Sequence, residues 1–308
     1  MEDVLVTGSS GFIGSNLCWH LLNYGYTVHS VDISKPEVEL PEQIKTHTQD
    51  LTESPDLPEA DVIVHLAAHS QVQPLVDKPE LAVENIEMTR HVLSEAKRMG
   101  AFVVNISSRD IYGSSLKPAE GDVTSESPNA YAASKLSGEA LANSYRSTQD
   151  VSVTSLRLAN VYGPRDLNQR VIPIFVALAE NGEELTVYGE GKLLDFVYID
   201  DVCRAIRGAI SRSGVVDGEI INVGSGTGTS LSDLASRISE YVESCPGWSV
   251  SPDRKGDVTR YVSNLSKASA LLNFEPETAL TDGLEDTVDW YVNRPALLSS
   301  IHSGIQEI

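Results

Sequence analysis

Basic residues are scarce in this sequence: 23 Lys and Arg stand against 44 Asp and Glu in 308 residues, a formal charge of −21. That balance excludes a broad basic face for nucleic acid and a polybasic hold on an anionic membrane. An anionic small ligand remains open, provided its site supplies its own donors. An ordinary acidic surface and one suited to a salt-rich cytoplasm both fit the surplus. Cysteine is scarcer still. Cys18, Cys203 and Cys245 are too few and too scattered for a disulfide framework, and no residues show metal-ligand spacing. No apolar run is long enough to span a bilayer, and Met1-Glu2-Asp3 leads straight into an apolar run with no signal peptide before it. The expectation is a cytoplasmic protein with no metal, nucleic-acid or membrane partner. The 41% of hydrophobic residues suffices for a sizeable core, in one large α/β domain or a large domain with a smaller lobe.

Short apolar runs alternate with amphipathic stretches. Val4–Thr7 reads as a buried strand, Gly8 to Gly14 as a turn, Asn16–Tyr24 as a helix and Thr27–Val31 as a second strand. Strand, turn, helix and strand make a βαβ unit. Further strands are expected at Asp61–Leu66, Phe102–Ile106 and Val153–Leu158, with helices at Ile86–Met99 and Tyr131–Tyr145. Such runs suit a parallel sheet covered on both faces. The second half is less regular. It offers helices at Val171–Asn181, Asp200–Ser211, Leu231–Val242, Ser266–Leu272 and Leu280–Val292, and strands at Leu185–Tyr188 and Ile220–Val223. The tail after Pro295 reads as peripheral.

The turn Gly8-Ser9-Ser10-Gly11-Phe12-Ile13-Gly14 carries the first chemical signal. Its glycines permit a tight turn, close approach of a pyrophosphate and tight helix–strand packing. The helix that follows presents backbone donors and a favourable dipole to phosphate. Asp32, at the second strand's end, can accept both ribose hydroxyls of an adenosine and repels a 2′-phosphate, which favours NAD over NADP. A solvated strand-end carboxylate is the plainer alternative. Asp50, with Leu51, stands at a plausible third strand end, as an adenine contact or a simple loop acid.

Tyr131 and Lys135 lie four apart on a helix and so face one way. An ammonium beside a phenol favours phenolate, which suits Tyr131 to general acid–base work. Ser107 and Ser108 follow the fourth apolar strand, where a doubly wound sheet opens its crevice. Ser108 can bond a reacting hydroxyl. Ser107 suits a structural or cofactor-facing place.

These features, with His65-Leu66-Ala67-Ala68, Asn85, Tyr112-Gly113, Arg157 to Arg165, Asp195 to Val202 and Arg254 to Asp257, resemble the extended short-chain dehydrogenase/reductase family in its nucleotide-sugar epimerase/dehydratase branch. The likeness runs from Val4 to about Val292. It implies a Rossmann-type doubly wound parallel sheet over residues 1–165 and a smaller C-terminal substrate-binding lobe over 166–308, with segments near 195–230 returning to the first domain. It implies bound NAD against Gly8, Gly11, Phe12, Ile13, Gly14, Asp32, Asp50, Leu51, Leu66, Ala67, Ala68, His69, Asn85, Ser107, Tyr131 and Lys135. Tyr131, Lys135 and Ser108 would be catalytic. Ser108, Arg109, Tyr131, Asn160, Arg165, Lys192, Arg254 and Asp257 would meet a UDP-linked sugar. A turn-stabilising role is the alternative for Asn160, a solvated ion pair for Arg254 and Asp257, and a structural role for Arg165. The implied reaction interconverts UDP-glucose and UDP-galactose through a 4-keto sugar; a UDP-glucuronate epimerase or decarboxylase, a dehydratase or reductase, and a non-catalytic NAD-binding protein are the alternatives. A homodimer through the helices at Ile86–Met99 and Tyr131–Tyr145 is also implied.

The sequence departs from the family pattern in places. Leu194 stands where an arginine often precedes the Asp-Phe pair, so a diphosphate contact is missing or Lys192 replaces it as a point donor. His69 stands where relatives often carry lysine or glutamine. The 4,6-dehydratases carry Thr-Asp-Glu where this chain has Ser108-Arg109-Asp110. Arg109 cannot easily donate a proton, which argues against dehydration. It could bind a substrate carboxylate. Asp110 falls at the elimination base's place, one methylene short, or is a capping or solvated acid.

Overall fold

Alternation along the first strand decides the layers. Val4 and Val6 face one way and Leu5 the other, because successive side chains of a strand point to opposite faces. The structure is a computed structural model and describes residues 2–36, 38–123, 127–189, 191–252 and 258–305. The chain runs β1 (Asp3–Thr7), α1 (Phe12–Asn23), β2 (Thr27–Asp32), β3 (Lys45–Thr48), β4 (Val62–His65), α2 (Val72–Asp77), α3 (Glu80–Met99) and β5 (Phe102–Ser108). It continues through β6 (Ser115–Leu116), α4 (Ala130–Gln149), β7 (Val153–Leu158), β8 (Asn160–Tyr162), α5 (Val171–Glu180), β9 (Leu185–Tyr188), β10 (Leu193–Tyr198) and α6 (Ile199–Ser211). The rest comprises α7 (Ser213–Val216), β11 (Ile220–Val223), β12 (Gly228–Ser230), α8 (Leu231–Tyr241), β13 (Trp248–Ser251), β14 (Tyr261–Val262), α9 (Ser266–Leu272), α10 (Leu280–Val292) and α11 (Pro295–Ile305).

Seven parallel strands form one sheet in the order β11-β7-β5-β4-β1-β2-β3. Succession runs outward on both sides of β1 and β4, so the crevice opens at their carboxyl ends. Val4, Val6, Val62 and Val64 share a core with Leu17 and Leu21 of α1 and Val202 and Ile206 of α6. Leu5, Ile63 and Val103 pack on the opposite face with Val92 and Leu93 of α3 and Ala142 of α4. The first of these cores continues into the later lobe through Phe175, Leu234 and Leu284. That lobe adds a three-stranded sheet, β12-β10-β8, and the pair β13-β9. No helix among the described residues is long and apolar enough to cross a membrane.

Three expectations need correction. The first helix starts at Phe12 rather than Asn16, because the chain turns into α1 directly after Gly11. The third helix starts at Glu80, right after Pro79, rather than at Ile86. The tail is no loose periphery: α11 packs on α5 and buries Leu298 and Ile301. Its pattern pairs two apolar side chains three apart with a short polar stretch, which is too brief to stand out in sequence.

Candidate active site

The crevice at the sheet's carboxyl edge is a cleft of about 2000 Å³. Single-ligand pockets are typically ~300–1,000 Å³, so two ligands fit side by side. Gly8, Gly11, Phe12, Ile13 and Gly14 line one end. Gly8 has φ +68, and a Cβ there would lie 2.6 Å from the Ala67 nitrogen. A Cβ on Gly14 would lie 2.2 Å from the Gly8 carbonyl oxygen. Both positions therefore demand glycine. Gly11 caps α1 and makes no side-chain cap bond. The first amides of the helix thus lack a side-chain acceptor and are available to an anion.

Asp32 lies at the end of β2 in the same cleft. Its Oδ2 accepts from the Ser10 amide at 2.9 Å and its Oδ1 from the Ser34 amide at 3.1 Å. Loop donors on both oxygens fix the carboxylate beside the glycine turn. Asp50 is fixed similarly, by the Thr52 hydroxyl at 2.7 Å and amide at 2.9 Å, which hold its carboxyl below the usual range. Asp50, Leu51, Leu66, Ala67, Ala68 and His69 all line the cleft. Asn85 does not. It is buried and acts from behind: its Oδ1 takes the His69 amide at 2.8 Å, and its Nδ2 donates to the His69 carbonyl at 3.1 Å. Its Nδ2 also meets Ser134 Oγ at 3.1 Å, tying the loop to α4. The His69 ring pairs with Glu84 at 2.7 Å.

Asn129 caps α4 by accepting from the Ala132 amide at 2.8 Å, which sets Tyr131 in the first turn. Lys135 follows one turn later. Its Nζ lies 5.8 Å from the Tyr131 ring centroid and donates to the Ile106 carbonyl at 2.8 Å. Burial lowers Lys135 to about 8. Burial first, then the charge of Asp110, pushes Tyr131 up to about 12, while Arg170, the bonded Ser108 hydroxyl and Arg109 draw it down. One donor of the Lys135 ammonium is engaged by the Ile106 carbonyl, and its other N–H groups remain for a ligand.

Ser107 and Ser108 are the last two residues of β5, not residues beyond it. Ser108 caps the short 3₁₀ turn Arg109–Tyr112, and its Oγ accepts from the Asp110 amide at 3.1 Å. That amide occupies a lone pair and leaves the hydroxyl proton to point at an oxygen in the cleft. Ser107 Oγ is buried, lines the same cleft, and has no hydrogen-bond partner. Arg109 Nε pairs with Asp110 Oδ1 at 3.1 Å, each side chain 13% exposed. Arg109 Nη2 donates to Asn160 Oδ1 at 2.9 Å, and Nη1 is buried without a partner. Asn160 Nδ2 donates to the Asp195 carbonyl at 2.9 Å, so its amide is engaged at both ends.

The remaining expected substrate residues separate. Arg165 lines the cleft, but its guanidinium lies 5.1 Å from the Trp19 ring centroid, over α1. Lys192 is buried and is not among the cleft-lining residues. Arg254 and Asp257 lie outside the described residues. Sequence reasoning missed Arg170 and Ile33. Arg170 lines the cleft and acts on Tyr131, yet it stands in an irregular loop with no motif around it. Ile33 is 64% exposed beside Asp32, an apolar side chain at the cleft mouth. Its signal was available: an isoleucine directly after the strand-end acid.

The profile of the NAD dependent epimerase/dehydratase family matches residues 4–224. The chain belongs to this family. It is 35% identical over 240 residues to a dTDP-glucose 4,6-dehydratase of Streptomyces niveus, covering 75% of this chain and 70% of the relative. It is 32% identical over 311 residues to a UDP-glucose 4-epimerase of Mycolicibacterium smegmatis, covering 94% and 98%. The fold matches the UDP-glucuronic acid 4-epimerase of Bacillus cereus, solved with UDP-glucuronic acid and NAD, with a TM-score of 0.87. Identity there is 29%, and 94% of this chain and 99% of that chain are covered. The family's cofactor is NAD, and this epimerase/dehydratase chain fits it. The uncapped amides after Gly11 suit a pyrophosphate, the carboxylate of Asp32 suits an unphosphorylated ribose, and the orphan Ser107 hydroxyl faces the cleft.

Proposed function

We propose that this nucleotide-sugar enzyme is a 4-epimerase that interconverts UDP-glucose and UDP-galactose. One observation carries the reading: Tyr131 and Ser108 line the cleft together, while the neighbouring Asp110 carboxylate is held in an ion pair with Arg109 at 3.1 Å. Tyr131 takes the proton of the sugar hydroxyl and later returns it. Ser108 donates to the same oxygen and steadies charge as it develops. Lys135 lies one turn below, where it can hold a ribose hydroxyl. When bound, NAD supplies a reversible acceptor for the hydrogen at the sugar carbon, so a ketone forms and is reduced on either face. Arg170 and Arg109 supply the protein's own positive charge that favours loss of the Tyr131 proton. Dehydration needs a further acid and a further base. Arg109 offers no proton, and Asp110 is paired with it.

A second reading has its own observation. Arg109 Nη1 is a buried, unpartnered donor, and Arg109 lines the same cleft as Tyr131. A carboxylate at sugar C6 would fill it, which supports UDP-glucuronate as substrate, for epimerisation or decarboxylation. Incubation with UDP-, GDP- and dTDP-sugars without added reductant tests both. An epimer of equal mass from UDP-glucose supports the first reading; turnover of UDP-glucuronate alone replaces it by the second, with carbon dioxide release marking decarboxylation. Loss of water would refute both. A homodimer through α3 and α4, which pack side by side, belongs to the same proposal; sedimentation as a stable monomer would refute it.

A further inference from the structure

We propose that Glu84 is a positioning residue for the cofactor: it fixes the His69 imidazole so that Nδ1 meets a hydroxyl of the ribose that carries the nicotinamide. The inference rests on NAD as the family's cofactor and not on which sugar is turned over. His69 and Glu84 both line the cleft, from different elements. His69 lies in the loop after β4, beside Ala67 and Ala68, and Glu84 lies in the second turn of α3.

One helix holds His69 twice. Buried Asn85 brackets its backbone, taking the His69 amide at 2.8 Å and donating to the His69 carbonyl at 3.1 Å. Glu84, next in sequence to Asn85, holds the ring at 2.7 Å through Nε2. A carboxylate only accepts, so Nε2 is the donor and carries a proton. Nδ1 is left without a partner among the described residues, on a side chain that is 39% exposed and lines the cleft. An imidazole that exposed samples several rotamers when nothing holds it, and ordering it on binding costs affinity. The contact with Glu84 orders the ring beforehand. A ribose hydroxyl is the matching partner, because it can donate to a neutral ring or accept from a charged one, whereas a phosphate oxygen only accepts. Asp32 is placed to take the hydroxyls of the adenosine ribose, which leaves the second ribose for His69. The bond from Asn85 Nδ2 to Ser134 Oγ, at 3.1 Å, ties the His69 loop to α4 next to Lys135, the residue that can hold the other hydroxyl of that ribose.

The test is a set of calorimetric titrations of the full chain with NAD, ADP-ribose and ADP. Glu84→Ala should weaken NAD and ADP-ribose by about three- to tenfold, the worth of one ordered hydrogen bond. It should leave ADP, which lacks the second ribose, unchanged. Glu84→Gln keeps an acceptor for Nε2–H and should bind NAD within about twofold of wild type. In a His69→Ala background Glu84 has no ring to hold, so adding Glu84→Ala should change NAD affinity by less than about twofold. The Glu84 side chain is 43% exposed, so Glu84→Ala should melt within about 1 °C of wild type and the titrations read binding rather than folding. Unchanged or tighter NAD binding by Glu84→Ala would overturn the proposal, as would an equal loss with His69 absent. A loss shared by ADP would overturn the assignment to the second ribose, and a Glu84→Gln variant as weak as Glu84→Ala would make charge rather than positioning the cause. No titration contains a nucleotide sugar, so the outcome stands apart from the functional reading.

Discussion

Glu139→Gln is the most telling single substitution outside the cleft. Glu139 and Arg157 are 3% and 2% exposed and form a two-pronged pair. Arg157 Nε donates to Glu139 Oε1 at 2.9 Å and Nη2 to Oε2 at 2.7 Å. Arg157 Nη1 donates to the Tyr112 hydroxyl at 2.6 Å and the Glu120 carbonyl at 2.8 Å. Glutamine keeps the shape but turns one acceptor into a donor and leaves a buried guanidinium without a counter-charge. Losing one partner of a buried pair costs about 3–5 kcal/mol. For 308 residues the unfolding entropy is about 0.65 kcal/mol per kelvin, so the melting temperature should fall by about 5–8 °C. Calorimetry at fixed NAD concentration measures this, because bound ligand shifts the midpoint by mass action. Adding Arg157→Met removes the stranded cation and should recover about half of the loss or more. A single variant that melts within about 1 °C of wild type would refute the account. So would a double variant that melts lower than the single.

Three further outcomes are expected. Gly14→Ala should abolish NAD binding in a fluorescence titration, since its Cβ would press on the Gly8 carbonyl at 2.2 Å; binding within about threefold of wild type would show that the turn can yield. Tyr131→Phe should keep NAD but lose about 10²–10⁴ in kcat, the usual worth of a general acid–base group; wild-type turnover would remove Tyr131 from the mechanism. Lys135, lowered from 10.5 to about 8 by burial, binds fewer protons in the folded than in the unfolded chain between those values. Stability of the NAD-free protein should therefore rise with pH across that window relative to Lys135→Met. Denaturation profiles that stay parallel from about pH 7 to about pH 10 would contradict the buried ammonium.

Legibility followed burial on two faces. Strands such as Val153–Leu158 and Ile220–Val223 are mostly apolar runs interrupted by a single large polar residue, Arg157 or Asn222, and their bounds read off directly. Lys45–Thr48 did not, because β3 is an edge strand whose Lys-Thr-His-Thr side chains are mostly solvated. Strands β8, β10 and β12 escaped for another reason: their pairing exists only once residues far apart in sequence meet, as Phe196 meets Asn160 and Leu193 meets Ser230. The same holds within the site. Glycines, Asp32, Tyr131 and Lys135 announce themselves through local spacing. That Arg109 is anchored by Asn160, 51 positions away, and that Lys192 is buried are facts of three-dimensional packing.

The sheet's outermost strand has a consequence for biogenesis. β7 is buried along its whole length, and one of its edges is covered by β11, which arrives only after residues 159–219 have been made. During synthesis that flank of Val153–Leu158 stands open, with its backbone groups unpaired. An uncovered strand edge with unpaired backbone groups is a template for pairing with another chain. The nascent protein thus passes through a stage at which a chaperone holding the newly emerged half would matter most, and stalled products ending before Ile220 should precipitate rather than persist.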